Sequence, residues 1–273
     1  MNKHINTISI LGYGWLGAPL AQELSAQGYS IKASTTTAEK LGSIRQAGLQ
    51  PYKLSLSPDL ECDAPDFFDT DLLIINFPPK RRPDIIDFHT AQIQNLITAI
   101  LRHNIPNIIY ISSTSVYPSL QNTVTEDDTT PPDKDSGKAL RIAEELLAAL
   151  PNQKTTFIRF AGLVGGDRLP GRFLAGKTDI PDAQSPVNLI HRDDCIGIIS
   201  TVIEQNVFGE IFNACMDEHP TRKEFYEAAA AKAGLPLPLF APQTQLSYKI
   251  IDSSKLKKMT GYQMRYTNPM DIL

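Results

Sequence analysis

The sequence predicts an α/β fold, a doubly wound parallel sheet, on three observations. A largely apolar run, Ile8-Ser9-Ile10-Leu11, passes directly into Gly12, Gly14 and Gly17 at the spacing G-x-G-x-x-G. Strand-like apolar segments then alternate with segments of helical period, the pattern of repeated β-α units. Leu72-Leu73-Ile74-Ile75 is apolar at every position, as a parallel strand covered on both faces requires.

Gly12 takes the tight turn after the first strand. Gly14 lets the backbone approach a pyrophosphate, and Gly17 lets the next helix pack close to the sheet. That helix, residues 18–27, has Leu16, Leu20 and Leu24 along one face and Gly28 as its cap. Its amide-rich N-terminus suits the negative charge of a dinucleotide, so Gly12, Tyr13, Gly14, Trp15, Leu16 and Gly17 form the candidate phosphate loop. A second strand at 29–34 leads into Ser34-Thr35-Thr36-Thr37. A carboxylate here would hold the ribose 2′-hydroxyl of NAD, and none occurs between Ile31 and Ala38. Hydroxyls and nearby Lys40 suit a 2′-phosphate instead, which favours NADP(H) over NAD(H). The alternative is a solvated turn that caps the next helix.

Residues 48–54 read as a short third strand and 57–70 as a polar connector. The apolar strand at 71–77 ends in Asn76, Phe77 and Pro78, at the carboxyl edge where open α/β sheets bind their ligands. Lys80-Arg81-Arg82 follows, either beside a phosphate or as a solvated loop. Residues 85–103 form a helix whose buried stripe is Ile86, Ile93, Ile97, Ile100 and Leu101. A strand at 107–112 precedes a helix at 136–150 with Leu140, Ala143, Leu147 and Leu150 on one face.

Asp193 and Asp194 open another helix, where acids complement the dipole, and Cys195, Ile198, Ile199 and Val202 face inward. Residues 221–233 are helical from a cap at Thr221 to Gly234. Pro236, Pro238 and Pro242 then keep the chain extended, and 252–259 is the last helix.

The chain has 273 residues, enough for one large domain or two modest ones. A formal net charge of −4 offers no broad basic field for nucleic acid. Cys62, Cys195 and Cys215, odd in number and without C-x-x-C spacing, argue against a disulfide framework or a zinc site and fit a reducing cytoplasm. No run approaches the length needed to cross a bilayer. No ligand cluster supports a metal around His191, Asp193 and Asp194.

Tyr110-Ile111-Ser112-Ser113-Thr114-Ser115-Val116-Tyr117-Pro118 carries a resemblance together with the glycine loop and Asn188-Leu189-Ile190-His191-Arg192-Asp193-Asp194. In combination they resemble the extended short-chain dehydrogenase/reductases, the NAD(P)-dependent epimerase/dehydratase family. Further matches are Ile158-Arg159-Phe160-Ala161-Gly162-Leu163-Val164-Gly165, Gly209-Glu210-Ile211-Phe212-Asn213, and Ser254-Lys255-Leu256 before Gly261-Tyr262, so nearly the whole chain is covered. The short length, Pro78-Pro79 and an altered catalytic helix further resemble its atypical YeeZ-like members.

The resemblance implies a Rossmann domain over 1–162, to which 187–213 return, and a small substrate lobe of 163–186 and 214–273. It implies strand order 3-2-1-4-5-6, with another strand near Ile211, and adds Ser112, Phe160, Ala161 and Gly162 to the cofactor set. The implied protein is a cytoplasmic, NADP(H)-preferring oxidoreductase or epimerase-like enzyme, monomer or homodimer, acting on a small polar substrate such as a nucleotide sugar. A non-catalytic NADP(H)-binding sensor or regulatory protein is the alternative.

Members that transfer a hydride use a Ser or Thr after the fifth strand and a Tyr-x-x-x-Lys pair on the next helix. Tyrosine moves the proton, lysine lowers its pKa, and the hydroxyl polarises the substrate. Ser113 matches the hydroxyl. Aligning on Glu145 places Gly137 and Arg141 at the pair. Aligning on Glu144 gives Ser136 and Leu140, and a third register takes Lys134 and Lys138. None supplies tyrosine, and the chain has none between Tyr117 and Tyr226. The catalytic candidates are therefore Ser113, Arg141 or Lys138 as a cation near the nicotinamide ribose, and Tyr117 as the spare hydroxyl. The acids of 123–135, Glu126 among them, read as a solvated lid, and His191 as a structural residue.

Overall fold

The computed structural model describes residues 5–62, 64–242 and 247–273. The first half of the chain forms β1 (Thr7–Leu11), α1 (Gly17–Ala26), β2 (Ser30–Thr35), α2 (Lys40–Gln46), β3 (Gln50–Leu56), β4 (Leu60–Cys62), β5 (Leu72–Ile75), α3 (Ile85–Arg102), β6 (Asn107–Ser113), β7 (Asn122–Val124) and α4 (Asp135–Ala148). The second half forms β8 (Lys154–Phe160), β9 (Gly162–Val164), α5 (Gly171–Leu174), β10 (Leu189–His191), α6 (Arg192–Glu204), β11 (Ile211–Ala214), α7 (Arg222–Lys232), β12 (Lys249–Ile251) and α8 (Ser254–Thr260).

One eight-stranded sheet runs in the order β4-β3-β2-β1-β5-β6-β8-β11. Its six central strands reproduce the expected 3-2-1-4-5-6, and β11 is the added strand at Ile211. The pairings of β1 with β2 and β5, of β2 with β3 and of β5 with β6 are all parallel. The sequence missed β4, which lies antiparallel to β3 with Leu56 opposite Leu60. A three-residue strand is too short for its alternation to stand out from the polar connector assigned there.

The chain forms two compact units. One comprises Met1–Val116, Lys134–Ile158 and Val202–Ile211. The other comprises Tyr117–Asp133, Arg159–Thr201 and Phe212–Leu273. The bounds at 158/159, 201/202 and 211/212 fall within β8, α6 and β11, and those at 116/117 and 133/134 fall in connections between elements.

In the first unit, Leu16, Leu20 and Leu24 are buried as α1 requires, and Leu140, Ala143 and Leu147 are buried on α4. α3 is the exception. Leu101 is 43% exposed, while His89 and Gln92 are buried with Ile93, Leu96 and Ile100. The helix has turned part of its expected apolar face outward because its two polar residues are paired inside. Gln92 donates Nε2–H to the Leu56 carbonyl at 2.6 Å, so its Oε1 accepts from His89 Nδ1 at 3.2 Å. That fixes the tautomer and leaves His89 Nε2 to accept the Tyr110 hydroxyl at 3.0 Å.

Burial holds the His89 pKa below its ordinary 6.5, outweighing the opposing hydrogen bond to Gln92. The unfolded chain then binds the extra proton more readily than the folded one, and stability is lost as pH falls below 6.5 toward the folded value. Urea midpoints measured between pH 7.5 and 5 are expected to fall with acid in the wild type and to fall less in His89→Gln. Equal slopes in the two proteins would remove His89 as a contributor.

The second unit has its own core of Val164, Val187, Leu189, Met216 and Phe225. Its helix α7 starts at the expected Thr221, whose side chain accepts from Glu224 N while the Glu224 carboxylate accepts from Thr221 N. The segment with Pro236 and Pro238 is extended beside 177–180, with Leu239 N donating to Lys177 O and Ile180 N donating to Leu239 O. Among the described residues no helix is long and apolar enough to cross a membrane.

Candidate functional site

The glycine loop is built so that its first and third glycines admit no side chain. Gly12 has φ +115°, and a Cβ there would meet Asn76 O at 2.4 Å; a Cβ on Gly17 would lie 2.0 Å from Gly12 O and 2.9 Å from Asn76 Nδ2. Asn76 itself closes this turn by donating Nδ2–H to Gly12 O at 3.1 Å. Nothing lies within 4 Å of a Cβ at Gly14, so this position is open where the other two are closed. Ala18 N donates to Gly14 O at 2.9 Å and Leu20 N to Leu16 O at 3.1 Å, so the helical turns begin inside the loop.

The end of β2 is stitched to this turn. Ser34 accepts Gly12 N–H on its hydroxyl at 3.1 Å, and its carbonyl accepts Tyr13 N–H at 2.8 Å. Thr35 uses its hydroxyl to accept from Thr37 N at 3.1 Å. Of the four predicted ligand-facing hydroxyls, Ser34 and Thr35 are thus buried and hold backbone, while Thr36 and Thr37 are exposed. No sequence pattern separates these roles, since all four are small hydroxyl residues in one run.

A cleft of about 270 Å³ opens beside the loop. Leu11, Gly12, Tyr13 and Gly14 form one wall and Ser34, Thr35, Thr36, Thr37 and Lys40 another; Leu54 to Ser57, Asn76 to Pro78, Lys80 and Gln92 complete it. Lysine is the only charged residue type on these walls. Trp15 is half-buried in the same loop and Leu16 is buried behind it.

At the end of β6, Ser113 is half-buried and its Oγ accepts Ser115 N–H at 3.1 Å. The neighbouring Ser112 faces the other way in function: its hydroxyl donates to the buried carboxylate of Glu144 at 2.6 Å. Glu144 served only as an alignment landmark in the sequence, yet it ties α4 to β6. On α4, Gly137 is buried, Arg141 is half-buried, and Lys138 is exposed and pairs with Asp135 at 3.0 Å.

The remaining predicted residues lie in the second unit. Tyr117 is buried, receiving a hydrogen bond from Arg159 Nη1 at 2.5 Å and donating to Asn213 Oδ1 at 2.8 Å. Burial raises its phenol pKa, against the lowering effects of Arg159. Phe160 and Ala161 are buried, and Ala161 N donates to Ala214 O at 3.0 Å. A Cβ on Gly162 would meet Leu189 Cδ2 at 2.9 Å, so that glycine serves a close approach of β9 to β10. Glu126 departs from the solvated-lid expectation. Its half-buried carboxylate accepts Asn213 N–H at 2.7 Å, which pins that stretch to β11. His191 accepts Asp193 N–H on Nδ1 at 3.2 Å and packs 4.2 Å from the Tyr266 ring.

Three comparisons place these features among known proteins. No protein-family model matches the chain. It is 39% identical over 267 residues to protein YeeZ of Escherichia coli K12, covering 96% of this chain and 97% of that protein. Among solved structures, the UDP-Glc/GlcNAc 4-epimerase of Campylobacter jejuni superposes with a TM-score of 0.81 at 17% identity over 98% of this chain and 96% of that one. MoeE5 in complex with UDP-glucose and NAD superposes at 0.79 and 16%, over 97% and 95% of the two chains. A functionally unknown conserved protein from Silicibacter pomeroyi does so at 0.78 and 24%, over 97% and 96%. At these identities the structural likeness shows the fold.

Proposed function

We propose, for a chain that belongs to the YeeZ family and has the fold of the nucleotide-sugar epimerases and short-chain dehydrogenases/reductases, that it is an NADP(H)-binding oxidoreductase or epimerase-like enzyme working without the Tyr-x-x-x-Lys pair. The observation that carries this reading is the cleft at the glycine loop. Gly12 and Gly17 form a cradle that a Cβ would fill, and the adjoining walls offer Thr36, Thr37 and two lysines with no carboxylate. A site for NAD places an acid on the ribose 2′-hydroxyl, whereas cations and hydroxyls suit a 2′-phosphate.

When bound, the nicotinamide supplies a hydride donor or acceptor. Ser113 then polarises a substrate carbonyl with its own O–H while its oxygen holds Ser115 N–H. Arg141 is the fixed cation for a ribose or phosphate, and Lys138 is its alternative. Tyr117 is assigned to holding Arg159 and Asn213 rather than to proton transfer. The substrate class is a small polar compound, and the UDP-glucose bound by MoeE5 favours a nucleotide sugar. A cytoplasmic location, and a monomer or homodimer, belong to the same reading.

A second reading, a non-catalytic NADP(H)-binding sensor, is favoured by one observation. Gly137, at the tyrosine position of one alignment, is buried and brings no acid to α4. Titrating NADPH, NADP⁺, NADH and NAD⁺ against Trp15 fluorescence is expected to give a saturable response, tighter for the phosphorylated pair. Turnover of a panel of carbonyls, lost in Ser113→Ala, would decide for the enzyme. Saturable binding with no turnover would decide for the sensor, and no binding of any of the four would end both readings.

A further inference from the structure

The three consecutive cations after β5 are not equivalent. Arg82 is committed to the first turn of α3: Nε and Nη2 grip the two oxygens of Asp84, the latter at 2.9 Å, and the guanidinium stacks 3.7 Å from the Phe88 ring centroid. Arg81 is exposed and is not among the residues that line the cleft. Lys80 does line it, together with Pro78, Thr36, Thr37 and Lys40. Its ammonium lies 6.0 Å from the Phe88 centroid, at the outer limit of a cation–π contact. Among the described residues neither Lys80 nor Lys40 forms an ion pair with a carboxylate.

The arrangement is the one an anion would organise. Two lysines, one opening α2 and one on the β5–α3 loop, share one cleft with exposed hydroxyls and no acid among its lining residues, and an anion bound in that cleft is attracted by both. The pyrophosphate of a dinucleotide belongs to the glycine turn, so the anion left for these lysines is the 2′-phosphate. Resting on the NADP(H) reading above, we propose that Lys80 is a specificity-determining residue. It acts with Lys40 on the 2′-phosphate, so that the choice of NADP(H) over NAD(H) is made from the β5–α3 loop as well as from the end of β2. The stack of Arg82 on Phe88 positions that loop so that Lys80 is the cation left over the cleft.

The test is calorimetric titration of the full chain with NADPH and NADH, and with 2′-phospho-ADP-ribose and ADP-ribose, which lack the nicotinamide. Wild type, Lys80→Gln, Lys40→Gln and Arg81→Gln are compared at low and moderate salt. Lys80→Gln is expected to weaken NADPH and 2′-phospho-ADP-ribose by about tenfold, equivalent to ~1.4 kcal/mol. Its effect on NADH and ADP-ribose should be less than twofold, and the salt dependence of NADPH binding should become shallower. Arg81→Gln should change the NADPH to NADH ratio less than twofold.

An unchanged ratio in Lys80→Gln, or an equal loss for both dinucleotides, overturns the assignment of Lys80 while leaving the NADP(H) reading intact. A wild type that prefers NADH, or that binds no dinucleotide, overturns the reading and the assignment together. The two failures are therefore told apart by the wild-type titration alone.

Discussion

Alanine at Gly14 is expected to leave the fold intact and weaken dinucleotide binding by more than tenfold, whereas alanine at Gly17 should damage both. The contrast follows from what each Cβ would meet. At Gly17 it would sit 2.0 Å from Gly12 O, 3.1 Å from Gly12 C and 2.9 Å from the Asn76 amide. Two of those atoms are backbone and cannot rotate away, so the turn must open and the Asn76 to Gly12 hydrogen bond is lost. Overpacking of this kind costs about 1–3 kcal/mol. At Gly14 the Cβ meets nothing within 4 Å, so the added methyl enters only the space where a pyrophosphate would approach. Thermal melts paired with Trp15 titrations separate the two effects. Gly14→Ala binding NADPH as tightly as wild type would mean that the loop does not cradle a pyrophosphate.

Asp194→Ala is expected to cost the second unit several kcal/mol. This carboxylate is fully buried at the start of α6. It accepts the Tyr262 hydroxyl at 2.9 Å and Arg265 N–H at 2.7 Å on one oxygen, and Tyr266 N–H at 3.2 Å on the other. Gly197, where a Cβ would lie 2.3 Å from the Tyr262 hydroxyl, leaves the room for that ring against α6. Each donor left unsatisfied costs about 1–3 kcal/mol, against a total stability of about 5–15 kcal/mol for a whole protein. Hydrogen exchange should show the amides of Arg265 and Tyr266 losing protection first, with a lower urea midpoint. Asp194→Asn should recover part of the loss, because one oxygen remains to accept. Unchanged protection at both amides in Asp194→Ala would show that the C-terminal segment is held by other contacts.

Much of the fold was legible in the sequence because the signals are local. The glycine spacing, the uniformly apolar strand at β5 and the 3.6-residue faces of α1 and α4 are properties of ten or fifteen adjacent residues. They led to the parallel sheet without reference to distant partners, while the strand order was implied by the resemblance to the family. The candidate phosphate loop was legible for the same reason, since Gly12 and Gly17 bound a turn only six residues long. The cap at Thr221 was visible as a hydroxyl at the head of a helical segment that Gly234 closes.

Other features were set by residues far apart in the chain. His89 and Gln92 face the interior of α3 because Tyr110 and the Leu56 carbonyl wait there, and a hydropathy period treats both as surface residues. Ser112 lies beside Ser113 in sequence, but only the buried Glu144 carboxylate decides that its hydroxyl is spent on α4. The same holds for Ser34, whose hydroxyl serves Gly12 rather than the open cleft, and for Tyr117, which is held between Arg159 and Asn213. The sequence by itself determined where most of the strands and helices lie and where the glycine loop begins, because backbone propensity and periodicity are written locally. The tertiary structure alone decided which polar groups are consumed by the protein and which stay open in the cleft, because each buried donor or acceptor must find its partner wherever the fold brings one.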